Sequence, residues 1–423
     1  APRTYSYSVD GHPVTKSYSE TDLAIKPMAA KLVWYNSPKT ADGWVRESPV
    51  TIESVEYDDW EGNVYFTTPA EFVPGNALIA AYDAGGEVLW SWNIWAVENY
   101  DCDAEARQVG RYMMMDRNLG AASGKATKVA EEAIKTYGVY FQFGRKDPFP
   151  AAGVMVRTSD ADIVPVYDAN GNKILENSYQ LKSGKITKGF DQAAVKLQLA
   201  YAVENPLMFV LRDDDDKAIA YGGDGTNPSC NWIFAAHPAK NGVEGSVPWK
   251  ASNKLWGSGL LDEKTSLMLG TITDVKKTIY DPCPYGYHMS PQDTWTNFTT
   301  ITTAYNTGNV DEYNVVAADK YNQTNEDVGF TDKNFEVWGR RFFTTGDAEA
   351  TDAGNVAFYP AAGYRYGYDG HVGYVGWGCY AWSASPYSAM SQYGGFLNTG
   401  SNRVRPVYYA NRSDAFPVRC VRD

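Results

Sequence analysis

The sequence predicts a mixed fold: a small all-β sandwich near the N-terminus, then an α+β domain carrying a large loop-rich insertion. Three observations predict it. Between residues 29 and 98, short β segments recur roughly every 10 to 12 residues with turn chemistry between them. Beyond residue 99, strand-like runs alternate with a helical stripe. From about 150 to 275 the composition shifts to loops, after which scaffold-like patterning resumes. At about 150 residues per domain, 423 residues are enough for two or three such units.

Residues 1–28 are polar, alternate Ser with Tyr in Tyr5-Ser6-Tyr7-Ser8 and lack a helical period, so an extended arm is expected. The sandwich, residues 29–98, is expected to use Lys31–Tyr35, Val50–Ile52, Asn63–Phe66, Asn76–Ala81 and Glu87–Trp92. Turns such as Glu61-Gly62-Asn63 and Pro74-Gly75-Asn76 separate these strands. The second domain, residues 99–423, opens with a strand in Arg111–Gly120. Met113-Met114-Met115 within it reads as alternation in a buried strand rather than as soft-metal ligation. A helix is expected over Lys125–Lys135, with Val129, Ala133 and Ile134 on one stripe. Inside the insertion, Val166–Ile174 reads as a hairpin and Phe190–Val203 as a helix ended by Asn205-Pro206. At Ser290-Pro291-Gln292-Asp293 the spacing predicts a capping box opening another helix. The apolar end, Phe416 to Asp423, is expected to be tied into a sheet.

Composition excludes several functions. With 38 Lys+Arg against 51 Asp+Glu the formal charge is −13, so no nucleic-acid partner is expected. No apolar run is long enough for a membrane-spanning helix. The chain begins Ala1-Pro2-Arg3 without an initiator Met, a basic n-region or an apolar h-region, so a mature or trimmed protein is expected, any export signal having been removed. The five cysteines include no CxxC pair, which argues against a zinc ribbon or a thioredoxin-like site. There are 31 Tyr against 16 Phe and 13 Trp; Tyr pairs an apolar face with a polar edge, so the excess points to a binding surface.

Five ordered segments carry a resemblance. They are Arg111 to Gly120, Tyr137 to Gly144, Cys283 to Trp295, Ala357 to Arg365 with Trp382-Ser383-Ala384-Ser385, and Phe416 to Asp423. This set resembles the Fibrobacter succinogenes major paralogous domain, found in exported proteins of Bacteroidota and similar in fold to C-type lectins and the formylglycine-generating enzyme. The strand pair Gly75–Ala80 and Leu89–Trp95 looks like the segment that joins this domain to fimbrillin-type surface proteins. The resemblance implies a C-type-lectin-like domain whose first and last strands pair and whose loops carry recognition. It also implies a Cys283–Cys420 disulfide, which would place the chain in an oxidising compartment.

The densest feature lies between Tyr359 and Tyr409, where aromatic residues are interleaved with glycines and serines. Such adaptable loops are what binding surfaces use. The ligand-binding candidates are Tyr366, Tyr368, Asp369, His371, Tyr374, Trp377 and Tyr387, whereas Phe358, Trp382 and Tyr364 are assigned to the core. The Glu-Pro-Asn, Gln-Pro-Asp and Trp-Asn-Asp strings of calcium-dependent lectins are missing. Asp213–Asp216 reads as a solvated acidic loop, and no metal, cofactor or catalytic residue is assigned. The four histidines flank no nucleophile motif, and neither HExxH nor GxSxG occurs. The expected function is a non-enzymatic cell-surface adhesion protein, outer-membrane-associated or fimbrial, that binds a glycan or a surface protein. The alternatives are a structural pilus or tip subunit, contacting other fimbrial subunits, and an oxidase like the formylglycine-generating enzyme.

Overall fold

A computed structural model describes residues 3–9, 12–18, 26–37, 51–127, 129–154, 158–177, 183–184, 199–211, 232, 254–257, 275–298, 338–343, 356–386, 393–400 and 403–423. Strands make up 46% of the structure and helices 6%, so the fold is β-rich.

The first large sheet has five antiparallel strands, in the order Lys173–Asn177, Asp162–Tyr167, Ala29–Asn36, Gly75–Tyr82 and Val88–Ala96. Two of them come from the stretch read above as an insertion, so that stretch completes the N-terminal sheet. The expected hairpin at 166–174 is its outer pair, and the Asp168 carboxylate accepts the Asn170 and Asn172 amides across the turn. Side chains alternate with period two. Trp34 and Leu78 face the large core cluster of the following region, while Tyr35 and Ala77 face Ile52, Val55 and Tyr167. Both faces are therefore covered, one by the Ser54–Asp58/Asn63–Thr67 hairpin side and the other by residues beyond 130. The strand expected at 50–52 begins instead at Ser54; Thr51 and Ile52 are buried but not in a strand.

At the N-terminus, Arg3–Val9 and His12–Tyr18 pair with each other as a hairpin, so the expected arm folds back on itself. Among the described residues this hairpin pairs with no other strand.

Among the described residues the remaining chain interleaves three larger sheets, besides the two-stranded pairings of Gly339–Phe343 with Val356–Pro360 and of Ser183–Gly184 with Phe209–Val210. Tyr287–Met289, Cys420–Arg422, Tyr112–Met114 and Arg107–Val109 form one, which ties the last strand between distant segments. A second places Ala415–Pro417 between Val139–Gln142 and Tyr364–Arg365. The third is the meander Gly378–Pro386, Tyr393–Gly400 and Arg403–Asn411. An aromatic stack joins them: Phe416 lies 4.3 Å from Trp382 and 4.7 Å from Phe396 between ring centroids. Gly394 permits this approach, since a Cβ there would meet Phe143 at 2.5 Å.

Two helix expectations are corrected. The helix expected at 125–135 is Ala130–Ile134, because Val129 is extended, with ψ 120°, and its amide donates to the Thr127 hydroxyl. The expected capping box is not made. Ser290 donates its hydroxyl to the Arg419 carbonyl, Asp293 accepts from Arg111 and Tyr112, and Gln292–Phe298 winds as a 3-10 helix. Of the helix expected at 190–203, residues 199–203 are helical, and the helix runs on to 204; the rest lies outside the described residues. Cys283 and Cys420 form a disulfide, as the resemblance implies, closing a separation of 137 residues.

Candidate functional site

The candidate site is an aromatic cleft of about 370 Å³ where the loop after Tyr364–Arg365 meets the meander sheet. Its lining includes six tyrosines: Tyr364, Tyr374, Tyr380, Tyr393, Tyr408 and Tyr409. Phe396 and Phe416 supply apolar depth, and Asn398, Asn411 and Asp414 supply the polar groups. Tyr380, Phe396, Asn398, Asp414 and Phe416 are buried, whereas Tyr374 is exposed at the edge.

Local structure explains how this lining assembles. Phe396 and Tyr408 are cross-strand partners, and the register shifts between Phe396 and Asn398. Beside that bulge the consecutive Tyr408 and Tyr409 both line the cleft, their rings stacked at 4.8 Å. Tyr374 holds a left-handed backbone, φ 56°, which costs a non-glycine residue of order 1–3 kcal/mol. Trp377 and Gly378 both donate their amides to its carbonyl, fixing the turn. Its ring stacks on Tyr364 at 5.6 Å, and Tyr364 stands edge-on to Phe416 at 5.0 Å. Burial, reinforced by the Asp414 carboxylate, pushes the Tyr364 phenol well above its ordinary value. Asp414 accepts the Gly367 amide at 2.7 Å, which ties the loop to the central strand.

The sequence-predicted residues divide around this cleft. Tyr374 lines it. Tyr366, Tyr368, Asp369 and His371 form an adjoining cluster: His371 stacks on Tyr366 at 4.1 Å, and its Nδ1 meets Asp369 Oδ1 at 2.5 Å. Tyr368 is exposed and crosses Tyr366 edge-on at 5.3 Å. Tyr366 also lies 4.5 Å from Tyr364, so an aromatic ladder leads from this cluster to the cleft. Trp377 is exposed and sits 6.0 Å from Tyr374. Tyr387 lies outside the described residues, as do Asp213–Asp216. Phe358 and Trp382 are buried as expected, while Tyr364 is only partly buried and lines the cleft. Sequence reasoning missed Asn398, Asn411, Asp414 and the Tyr408-Tyr409 pair. The signal for that pair is two adjacent tyrosines in a strand, which can share a face only beside a bulge.

The late cysteines do not form a thiol pair. Cys420 is bonded to Cys283, and the buried Cys379 Sγ donates to the Tyr359 carbonyl at 2.8 Å. Among the described residues no three His, Cys, Asp or Glu side chains converge as a metal-ligand set, and no helix is long and apolar enough to cross a membrane. Comparison with known protein families, curated proteins and solved structures finds no significant match to this chain.

Proposed function

We propose that this chain is an exported, surface-associated binding protein with a C-type-lectin-like module, and that the aromatic cleft takes a glycan or a surface protein. The observation that carries the reading is the cleft itself: six tyrosines and three polar side chains converge on a concavity of about 370 Å³. Ligand sites combine such an apolar lining with a few convergent polar groups. The Cys283–Cys420 disulfide supports an oxidising compartment outside the cytoplasm. The oxidase alternative is weakened because Cys420 is committed to that disulfide.

The test is binding to an array of host and plant glycans and to a panel of purified surface proteins, wild type against Tyr374→Ala/Tyr408→Ala. Binding lost in the variant, with its fold intact by circular dichroism, is the expected result. No binding above the variant on either panel refutes the reading.

A structural pilus role is favoured by one observation, the N-terminal hairpin Arg3–Tyr18, which pairs with no further strand among the described residues. Two-stranded hairpins are marginal alone and gain stability from a partner. On that reading, deleting residues 1–28 abolishes assembly and leaves the rest folded.

A further inference from the structure

We propose that the cleft selects neutral glycans, hexose units without carboxylate, sulfate or phosphate groups; this rests on the ligand-binding reading above and specifies its ligand. The cleft's charge pattern carries the argument. Among the described residues its lining holds no Lys, Arg or His, and the one formally charged group there is the Asp414 carboxylate. The faces of its tyrosine rings are the negative side of the aromatic quadrupole. An anionic ligand would meet the Asp414 carboxylate and the negative ring faces, inside a chain of formal charge −13. The guanidinium of Arg405 sits over the Tyr408 ring at 4.5 Å and is not part of the lining.

The same lining suits a neutral sugar. A ring such as that of the exposed Tyr374 offers a flat surface to the C–H face of a pyranose. The amides of Asn398 and Asn411 can donate and accept, and a carboxylate such as Asp414 accepts from hydroxyls. A volume of about 370 Å³ lies at the small end of ligand cavities, which fits a mono- or disaccharide unit rather than a long chain.

The experiment titrates the full chain with matched oligosaccharides: a neutral mucin-type core, the same core capped with sialic acid, and the same core sulfated. The neutral form is expected to bind, with the capped forms at least about tenfold weaker. Asp414→Asn, which keeps an oxygen to accept the Gly367 amide, is expected to narrow that gap; thermal melting checks its fold. Acidic forms binding as well as the neutral one, or a ratio unchanged in Asp414→Asn, overturns the selection while leaving the binding reading intact. Cleft-dependent capture of a surface protein with no glycan bound also overturns the selection alone. Absence of both kinds of ligand overturns the two together.

Discussion

Tyr374 pays a backbone cost for its position. Its φ of 56° is the left-handed region that glycine occupies freely, yet the residue carries a large ring that stacks on Tyr364 and borders the cleft. Strain of this kind gathers at functional sites. Tyr374→Gly relieves the backbone and deletes the ring, two effects of opposite sign on stability. The expected outcome is a melting temperature within a few degrees of wild type and a clear loss of ligand binding; a large loss of both would make Tyr374 a packing residue. Arg145 presents the opposite case. Its guanidinium is 2% exposed and donates to the carbonyls of Ala202, Asn205, Pro206 and Met208, closing the end of the helix at 199–204. Burial pushes its pKa down to about 10. Arg145→Met leaves those carbonyls unpaired, and denaturant titration should register a loss of about 3 to 5 kcal/mol. The two positions are unequally legible in the sequence: the Tyr-Gly pattern around Tyr374 draws attention to its loop, but an arginine carries no sign of burial. Asp414 is hidden for the same reason, since only the fold brings the bend before Ala415–Pro417 to the loop at Gly367.

Strand pairings separate what local pattern reveals from what it hides. Turn chemistry located Asn63–Thr67, Gly75–Tyr82 and Val88–Ala96 closely, because each strand pairs with a near neighbour in the chain. The pairing of Tyr167 with Tyr35 spans more than a hundred residues, and no local signal marks it. That single long-range contact makes part of a presumed insertion a member of the N-terminal sheet. The strand Cys420–Arg422 is a stronger example of such dependence. It lies between Tyr287–Met289 and Tyr112–Met114, and Cys420 bonds Cys283 at a Cα separation of 5.8 Å. A loop of 137 residues closed by one bond is worth about 4 to 5 kcal/mol in the chain-entropy model. Cys283→Ser/Cys420→Ser should lower unfolding stability by that order and make wild type with reductant resemble the variant; equal stability in both states would show that sheet pairing alone holds the strand. The exposed hairpin tip offers a contrast. Trp60 is 93% exposed, so Trp60→Ala should change stability by less than about 0.5 kcal/mol.

Across the whole molecule the same two residue types, tyrosine and arginine, dominate the buried polar chemistry, and their titrations oppose one another. Among the described residues five arginines are almost fully buried: Arg145, Arg340, Arg365, Arg412 and Arg419. They sit over aromatic rings or against carbonyls, as Arg419 does 4.0 Å over Tyr359 while donating to the Phe358 carbonyl. Burial pushes the phenols of Tyr100, Tyr137, Tyr140, Tyr280, Tyr359 and Tyr364 above the ordinary value of 10. A phenol raised in this way contributes stability that is complete below pH 10, the value in the unfolded chain, and is lost as pH rises through the folded value. Burial lowers Arg145 and Arg365 to about 10, and lowers Arg419 as well. Below their ordinary value of 12.5 these three act in the reverse sense, because the folded chain sheds their protons first. Among the described residues burial also raises the phenols of Tyr82, Tyr112, Tyr287 and Tyr366 and lowers the Lys146 ammonium, so ten raised phenols against three guanidiniums and one ammonium leave the tyrosines in control above pH 10. Stability measured by denaturant titration should therefore fall steeply above about pH 10. Ultraviolet titration of the native protein should show these phenolates appearing only as it unfolds. Stability that holds or rises above that pH would mean that the arginines, not the tyrosines, set the alkaline limit of this core.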